Sequence, residues 1–190
     1  KSQREILKVL SVKFEDILEK EVPTNNPGLI TYDTYWPDLA SNPSMLTIPD
    51  IRSVRDKMEN IYGLIDNHFT GARANRKDVA ISIANALAIT ILCDDLNKRN
   101  GASANNLKED LCATIKGIDT PEFLLDAIDS SAKQLVKATS GQYIEQDEIS
   151  SNYYIREETG PNILQTIKNY AEEVIKRDID QADQYYFDFL

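Results

Sequence analysis

Apolar side chains recur at intervals of three and four along most of this chain, and give way to short β-rich pieces in one place. Across residues 2–20, Ile6, Val9, Leu10, Phe14, Ile17 and Leu18 share a helical face, with Lys8, Lys13, Glu15 and Glu19 elsewhere. Between Val22 and Pro49 the prolines Pro23, Pro27, Pro37, Pro43 and Pro49 predict an irregular segment, anchored by Tyr32, Tyr35 and Trp36. A second helix follows through Ile51, Val54, Met58, Ile61, Ile65 and Phe69, ends at Gly71, and should pack against the next one. That next stretch, Asp78 to Leu96, has hardly any polar face, which predicts a central helix buried on all sides.

The pattern then shortens. After Gly101, Ser103 is placed to cap a small amphipathic helix with Leu107, Leu111 and Ile115, ended by Gly117. Thr120-Pro121-Glu122 supplies an N-cap, a proline at the first helical position and an early acid, ahead of Leu124, Ile128, Leu135 and Val136. Ser140-Gly141-Gln142 reads as a helix-to-strand turn, and Gln142-Tyr143-Ile144 and Asn152-Tyr153-Tyr154-Ile155 as two strands joined by a polar loop. Pro161 opens a long last helix with Ile163, Ile167, Tyr170 and Val174 in one stripe and Leu164, Ala171 and Ile175 on its flank.

The fold class expected is therefore mainly α with a small β-hairpin. Residues 1–77 form N-terminal helices and a Pro-rich irregular segment, and residues 78–157 a winged-helix-like unit of three helices plus a wing. Residues 158–190 form a C-terminal helix packed on the same core. At 190 residues the chain could bury about 70% of its unfolded surface, enough for one cooperative core. A start at Lys1 without Met, and a helical run reaching Leu190 without a stop signal, lead to the expectation of a piece of something larger.

Composition changes this picture little. Hydrophobic residues make up 42% and charged residues 27%, ordinary for a globular protein. The most apolar helix is short of the roughly 18 residues a membrane span needs and is bracketed by Asp78, Asp94 and Asp95, so no membrane role and a cytoplasmic location are expected. Cys93 and Cys112 lie in apolar helical settings and read as buried thiols.

Candidate chemistry is sparse. No G-x-x-x-x-G-K-[ST] loop is present to surround phosphates with backbone amides, and Gly71 before Arg73, Arg76 and Lys77 lacks the second glycine. His68 is the single histidine, so a multi-histidine zinc site is excluded, and its place beside Ile61 and Ile65 reads as helix-end packing. Asp94 and Asp95 point about 100° apart on a helix and do not address one ion together. No catalytic residue, cofactor site or metal site is assigned, and an enzyme is not expected.

Several phrases carry a resemblance. Gly101-Ala102-Ser103 with Leu107, Asp110 and Leu111, then Ser140-Gly141-Gln142-Tyr143 and Asn152-Tyr153-Tyr154, resemble a region of very large bacterial P-loop ATPases from phage-defence gene clusters of the BREX type. Lys20-Glu21-Val22-Pro23, Pro27-Gly28-Leu29-Ile30 and Tyr32-Asp33-Thr34-Tyr35-Trp36 are similar to a phrase of the same ATPases, in the same order. The resemblance implies a helical and winged-helix region downstream of a nucleotide-binding core. It also implies ATP and Mg for the parent but no cofactor here, with the rest of the ATPase and other defence proteins as partners.

Charge then separates two functions. A winged helix often reads DNA, yet between Thr120 and Glu157 seven acids stand against Lys133, Lys137 and Arg156, within a chain of formal charge −10. The function expected is a non-catalytic structural, protein-contact or nucleotide-state relay module, with a DNA-binding winged helix as the alternative. Candidate contact residues are Arg73, Arg76 and Lys77 for phosphate or an acidic partner, and Tyr143, Asp147, Glu148, Tyr153 and Tyr154 on the wing. Tyr185, Tyr186, Phe187 and Leu190 form a candidate apolar end.

Overall fold

A helix with no polar face can be stable only when something covers it all round, and the fold is arranged to do that. The computed structural model describes residues 31–93, 101–110, 121–156 and 167–175, together with Leu7, Leu10, Ser11, Phe14, Glu15 and Leu18. In order come α1 (Tyr32–Ser41), a 3-10 turn (Met45–Thr47), α2 (Pro49–His68), a second 3-10 turn (Gly71–Arg76) and α3 (Lys77–Cys93). Then follow α4 (Ala104–Asp110), α5 (Pro121–Ala138), β1 (Ile144–Gln146) and β2 (Tyr153–Ile155). Residues 167–175 are also helical. The architecture is mainly helical with a small antiparallel hairpin.

α3 is the centre. Every residue from Ile83 to Ile89 is buried, and α1, α2, α5 and β2 all pack on it. Its alanines, Ala80, Ala84, Ala86 and Ala88, leave room for neighbours to approach closely. α2 contributes Ile51, Val54, Met58, Ile61 and Ile65, each 5% exposed or less, so the three-and-four spacing read in the sequence does mark its buried face. α5 adds Ile128, Ala132 and Leu135, and the core continues into Ile144, Tyr153 and Ile155 of the hairpin.

The Pro-rich segment is more regular than its composition predicts, because α1 runs through Pro37. Proline lacks the N–H that would bond the carbonyl four residues back, here Asp33. Asn85 of α3 fills the gap: its Nδ2 donates to the Asp33 carbonyl at 3.2 Å. The same amide's Oδ1 accepts from the Tyr62 hydroxyl at 2.6 Å, and that hydroxyl accepts from Trp36 Nε1 at 3.1 Å. One partly buried chain of hydrogen bonds thus joins α1, α2 and α3. Of the expected anchors, Trp36 is buried and Tyr35 half-buried, while Tyr32 is exposed because it stands on the outer side of α1's first turn.

Strand bounds also shift. α5 ends in a paired backbone closure, with Gly141 N–H bonded to the Val136 carbonyl and Ser140 N–H to that of Lys137, and Ser140 in the left-handed region at φ 49°. Gln142 N–H is taken by the Thr139 carbonyl, so β1 starts at Ile144 rather than Gln142. The hairpin pairs Ile144 with Ile155, Glu145 with Tyr154 and Gln146 with Tyr153. Ala102 then bridges Tyr153 from the other side, through mutual backbone bonds of 2.8 and 2.9 Å. Gly101 makes this approach feasible: its φ is +48°, and a Cβ there would run into the Tyr153 carbonyl.

Some expectations meet a different outcome. Cys93 is exposed at the end of α3, because the buried stretch stops at Ile89. Phe14 and Leu18, read as part of a helical apolar face, are helical and exposed. Cys112, Asp94-Asp95, Leu111, Ile115, the Thr120 cap and the terminal Tyr185, Tyr186, Phe187 and Leu190 lie outside the described residues. Among the described residues, no helix is long and apolar enough to cross a membrane.

Three measurements check this account. Asn85→Ala should cost about 2 kcal/mol in denaturant unfolding, since it takes the donor from the Asp33 carbonyl and the acceptor from the Tyr62 hydroxyl. Adding Pro37→Ala returns a helical N–H to Asp33 and should recover about 1 kcal/mol of that loss, whereas simple additivity would disprove the coupling. Gly101→Ala should cost about 2–4 kcal/mol, more than an alanine placed at Gly63, where no atom lies within reach of the new Cβ. The phenols of Tyr35, Tyr62 and Tyr153 are all raised above the ordinary 10.0, each first by burial, and Tyr153 further by its bond to Asp129. Their stabilising contribution is complete below the ordinary phenol value and fades as pH climbs through the folded values. Tyrosinate absorbance should therefore show these three titrating late, together with alkaline unfolding.

Candidate functional site

The side of α5 turned away from the core carries Asp129, Lys133 and Lys137, spaced by four so that they form one row. Asp129 Oδ2 pairs with Lys133 Nζ at 2.7 Å. Its other oxygen accepts from the buried Tyr153 hydroxyl at 2.8 Å, so this carboxylate links the core of the hairpin to the surface row. α5 is held from the α2 side as well. Arg76 Nη1 donates to Ser130 Oγ at 2.6 Å, and His68 Nε2 lies 3.1 Å from Gln134 Oε1.

Facing this row is the hairpin turn, which Asp147 organises. Its carboxylate accepts from the Ile149 N–H at 3.0 Å and the Ser150 hydroxyl at 2.7 Å, while its backbone bonds Asn152 and Ser151. Ser151 completes the reversal at φ 59°. Such local side-chain bonds are why Asp and Ser favour turns. Behind the turn, Glu145 Oε2 accepts from the Tyr154 hydroxyl at 3.1 Å and lies 3.6 Å from Arg156 Nε. Arg156 also donates to the Gly141 carbonyl, and its own carbonyl accepts from Lys57 of α2 at 2.8 Å.

Between the α5 row and the turn lies a cleft of about 940 Å³, with Lys168 and Glu172 of the helical residues 167–175 on its third side. Lys137 Nζ meets Glu172 Oε2 at 2.6 Å and Lys168 Nζ meets Glu148 Oε1 at 3.4 Å. The lining holds five carboxylates, Asp129, Glu145, Asp147, Glu148 and Glu172, against three lysines. Each lysine already has a carboxylate partner within the chain. Among the described residues, no three His, Cys, Asp or Glu side chains converge as a metal site.

The candidates named from the sequence therefore part company. Arg73 is exposed, but Arg76 is engaged with Ser130, and Lys77 pairs with Asp66 at 3.0 Å, so the three do not form one free basic cluster. Around the hairpin, Asp147, Glu148 and Tyr154 do line the cleft, Tyr143 packs against the core, and Tyr153 is 0% exposed. Tyr153 faces inward, its backbone held between Ala102 on one side and β1 on the other. Sequence reasoning passed over Ile149, which stands 96% exposed at the tip of the turn. A lone apolar residue inside the polar run Asp147–Ser151 was the available signal.

No curated protein and no solved structure matches this chain. A profile of the family described as DUF6079 second domain matches residues 1–160, a range that contains α1 to α5 and the hairpin and stops before the helical residues 167–175. With most of its 190 residues covered, the chain belongs to the DUF6079 second-domain family.

Proposed function

We propose that this domain is a non-catalytic contact module of a larger protein, and that the acidic turn and the α5 cleft receive a basic protein surface. The observation that carries the proposal is the charge arrangement of the cleft. Its lysines are matched by internal carboxylates, and the five acids of the lining stand against three lysines and the Arg156 guanidinium beside Glu145, which leaves a small acidic excess. A surface of that kind attracts cations and repels phosphate. Ile149 adds an apolar contact beside the acids.

The larger protein proposed is an ATPase of the phage-defence type. Supporting this are the phrases around Gly101, Ser140 and Asn152 and the description of the family as a second domain. ATP and Mg would be bound by the rest of that protein, in the cytoplasm, and this domain would relay its state or dock partners.

The winged-helix reading belongs to the same proposal. Its support is the order α3, the Ala102 bridge, α4, α5 and then the hairpin, with Ala102 acting as a short third strand beside Tyr153. In such a unit α5 would be the reading helix and the turn the wing. That order alone favours DNA as a second reading, but α5 and the wing present Asp129, Glu145, Asp147 and Glu148 where phosphates would lie.

Fluorescence anisotropy of a labelled duplex decides between them. The contact reading expects no saturable binding at low or near-physiological salt. Binding at about 10⁻⁶ M that falls steeply with salt, and is weakened by Arg73→Glu, would replace it with the DNA module. In the parent protein, zero-length carboxylate-to-amine cross-linking should join Glu145 or Glu148 to lysines outside these 190 residues.

A further inference from the structure

An amphipathic helix normally docks by its apolar side, yet the helical residues 167–175 are tied down by their charges. Glu172 reaches Lys137 on the α5 wall of the cleft, and Lys168, one turn earlier, reaches Glu148 on the hairpin wall. The two contacts go to opposite walls, so the segment crosses the opening like a bolt. None of its residues is buried, and Ile167, Tyr170 and Ile175 are 58%, 67% and 62% exposed.

We infer that residues 167–175 are a releasable strap that closes the cleft between α5 and the hairpin, fastened by Lys137–Glu172 and Lys168–Glu148. Both pairs are open to solvent: Lys137 and Glu172 are 36% and 51% exposed, and Lys168 and Glu148 64% and 87%. Exposed pairs hold weakly and are screened by salt over about 8 Å at physiological ionic strength. No side chain of residues 167–175 is buried, so these residues add little apolar area to the two pairs. Opening frees Lys137 and Glu148 on the two walls, so a partner carrying both charges competes directly with the strap. What the strap guards rests on the contact reading proposed above, but whether it opens does not.

Amide hydrogen exchange of the 190-residue chain, followed by mass spectrometry, tests the strap without any partner. A short helix released from its contacts loses most of its order in water, so release registers as faster exchange. Exchange across residues 167–175 should rise about fivefold in molar salt, and similarly with Glu172→Lys at low salt. Lys137→Glu combined with Glu172→Lys should restore slow exchange. Exchange in α3 should stay unchanged throughout, showing that the core remains folded. In a Cys93→Ser, Cys112→Ser background, the thiol placed by Gln146→Cys should label faster under the same releasing conditions. Exchange insensitive to both salt and Glu172→Lys, failure of the double reversal to rescue, or release without faster labelling in the cleft would each overturn the proposal.

Discussion

A single carbonyl group sets how the first three helices meet. Pro37 deprives Asp33 of its intrahelical donor, and a helix with an unsatisfied carbonyl on its packed side is tolerable only if a neighbour supplies one. Asn85 does so from the middle of an otherwise apolar helix, and its remaining oxygen is held by Tyr62, which Trp36 in turn supports. Apolar surfaces alone would let α1 slide over α3, since hydrophobic burial has no direction. The hydrogen-bond chain gives that contact one register.

The rest follows outward from α3. Because it must be covered on every side, α2 and α5 take two flanks and the hairpin closes another through Tyr153 and Ile155. The hairpin is too small to stand alone. It is anchored by the Ala102 bridge beneath it, by Asp129 holding the Tyr153 hydroxyl, and by Lys57 holding the end of β2. The cleft is the space left where α5 and the hairpin diverge. Its acidic character comes from residues that also organise structure: Asp147 builds the turn, Asp129 secures Tyr153 and Glu145 receives Tyr154.

Much of this was legible in the chain. The faces of α2 and α5 were visible because burial on one side of a helix imprints a three-and-four spacing, α3 because it lacks a polar face, and Pro121 and Gly141 bracket α5 by well-defined backbone chemistry. The hairpin was visible in Tyr153-Tyr154-Ile155, but not which tyrosine faced inward, since a single extra residue at the α5 exit reverses the alternation. α1 was hidden because its compensation for Pro37 lies on another helix, 48 positions from it in the chain. The cleft was hidden for the same kind of reason: Lys137 and Glu172, or Glu148 and Lys168, are separated by 35 and 20 residues.

The sequence by itself therefore determined a helical protein around one fully apolar helix, a small aromatic hairpin, an acidic balance and the lack of a phosphate-binding loop. These are local or additive properties, carried by spacing, backbone preference and summed charge. Only the tertiary structure decided which polar groups inside that core are satisfied, which members of the Arg73, Arg76 and Lys77 group remain available, and that acids from α5, the turn and residues 167–175 face one opening. Those outcomes depend on pairings between distant positions, and a pairing leaves no mark in the pattern of either partner alone.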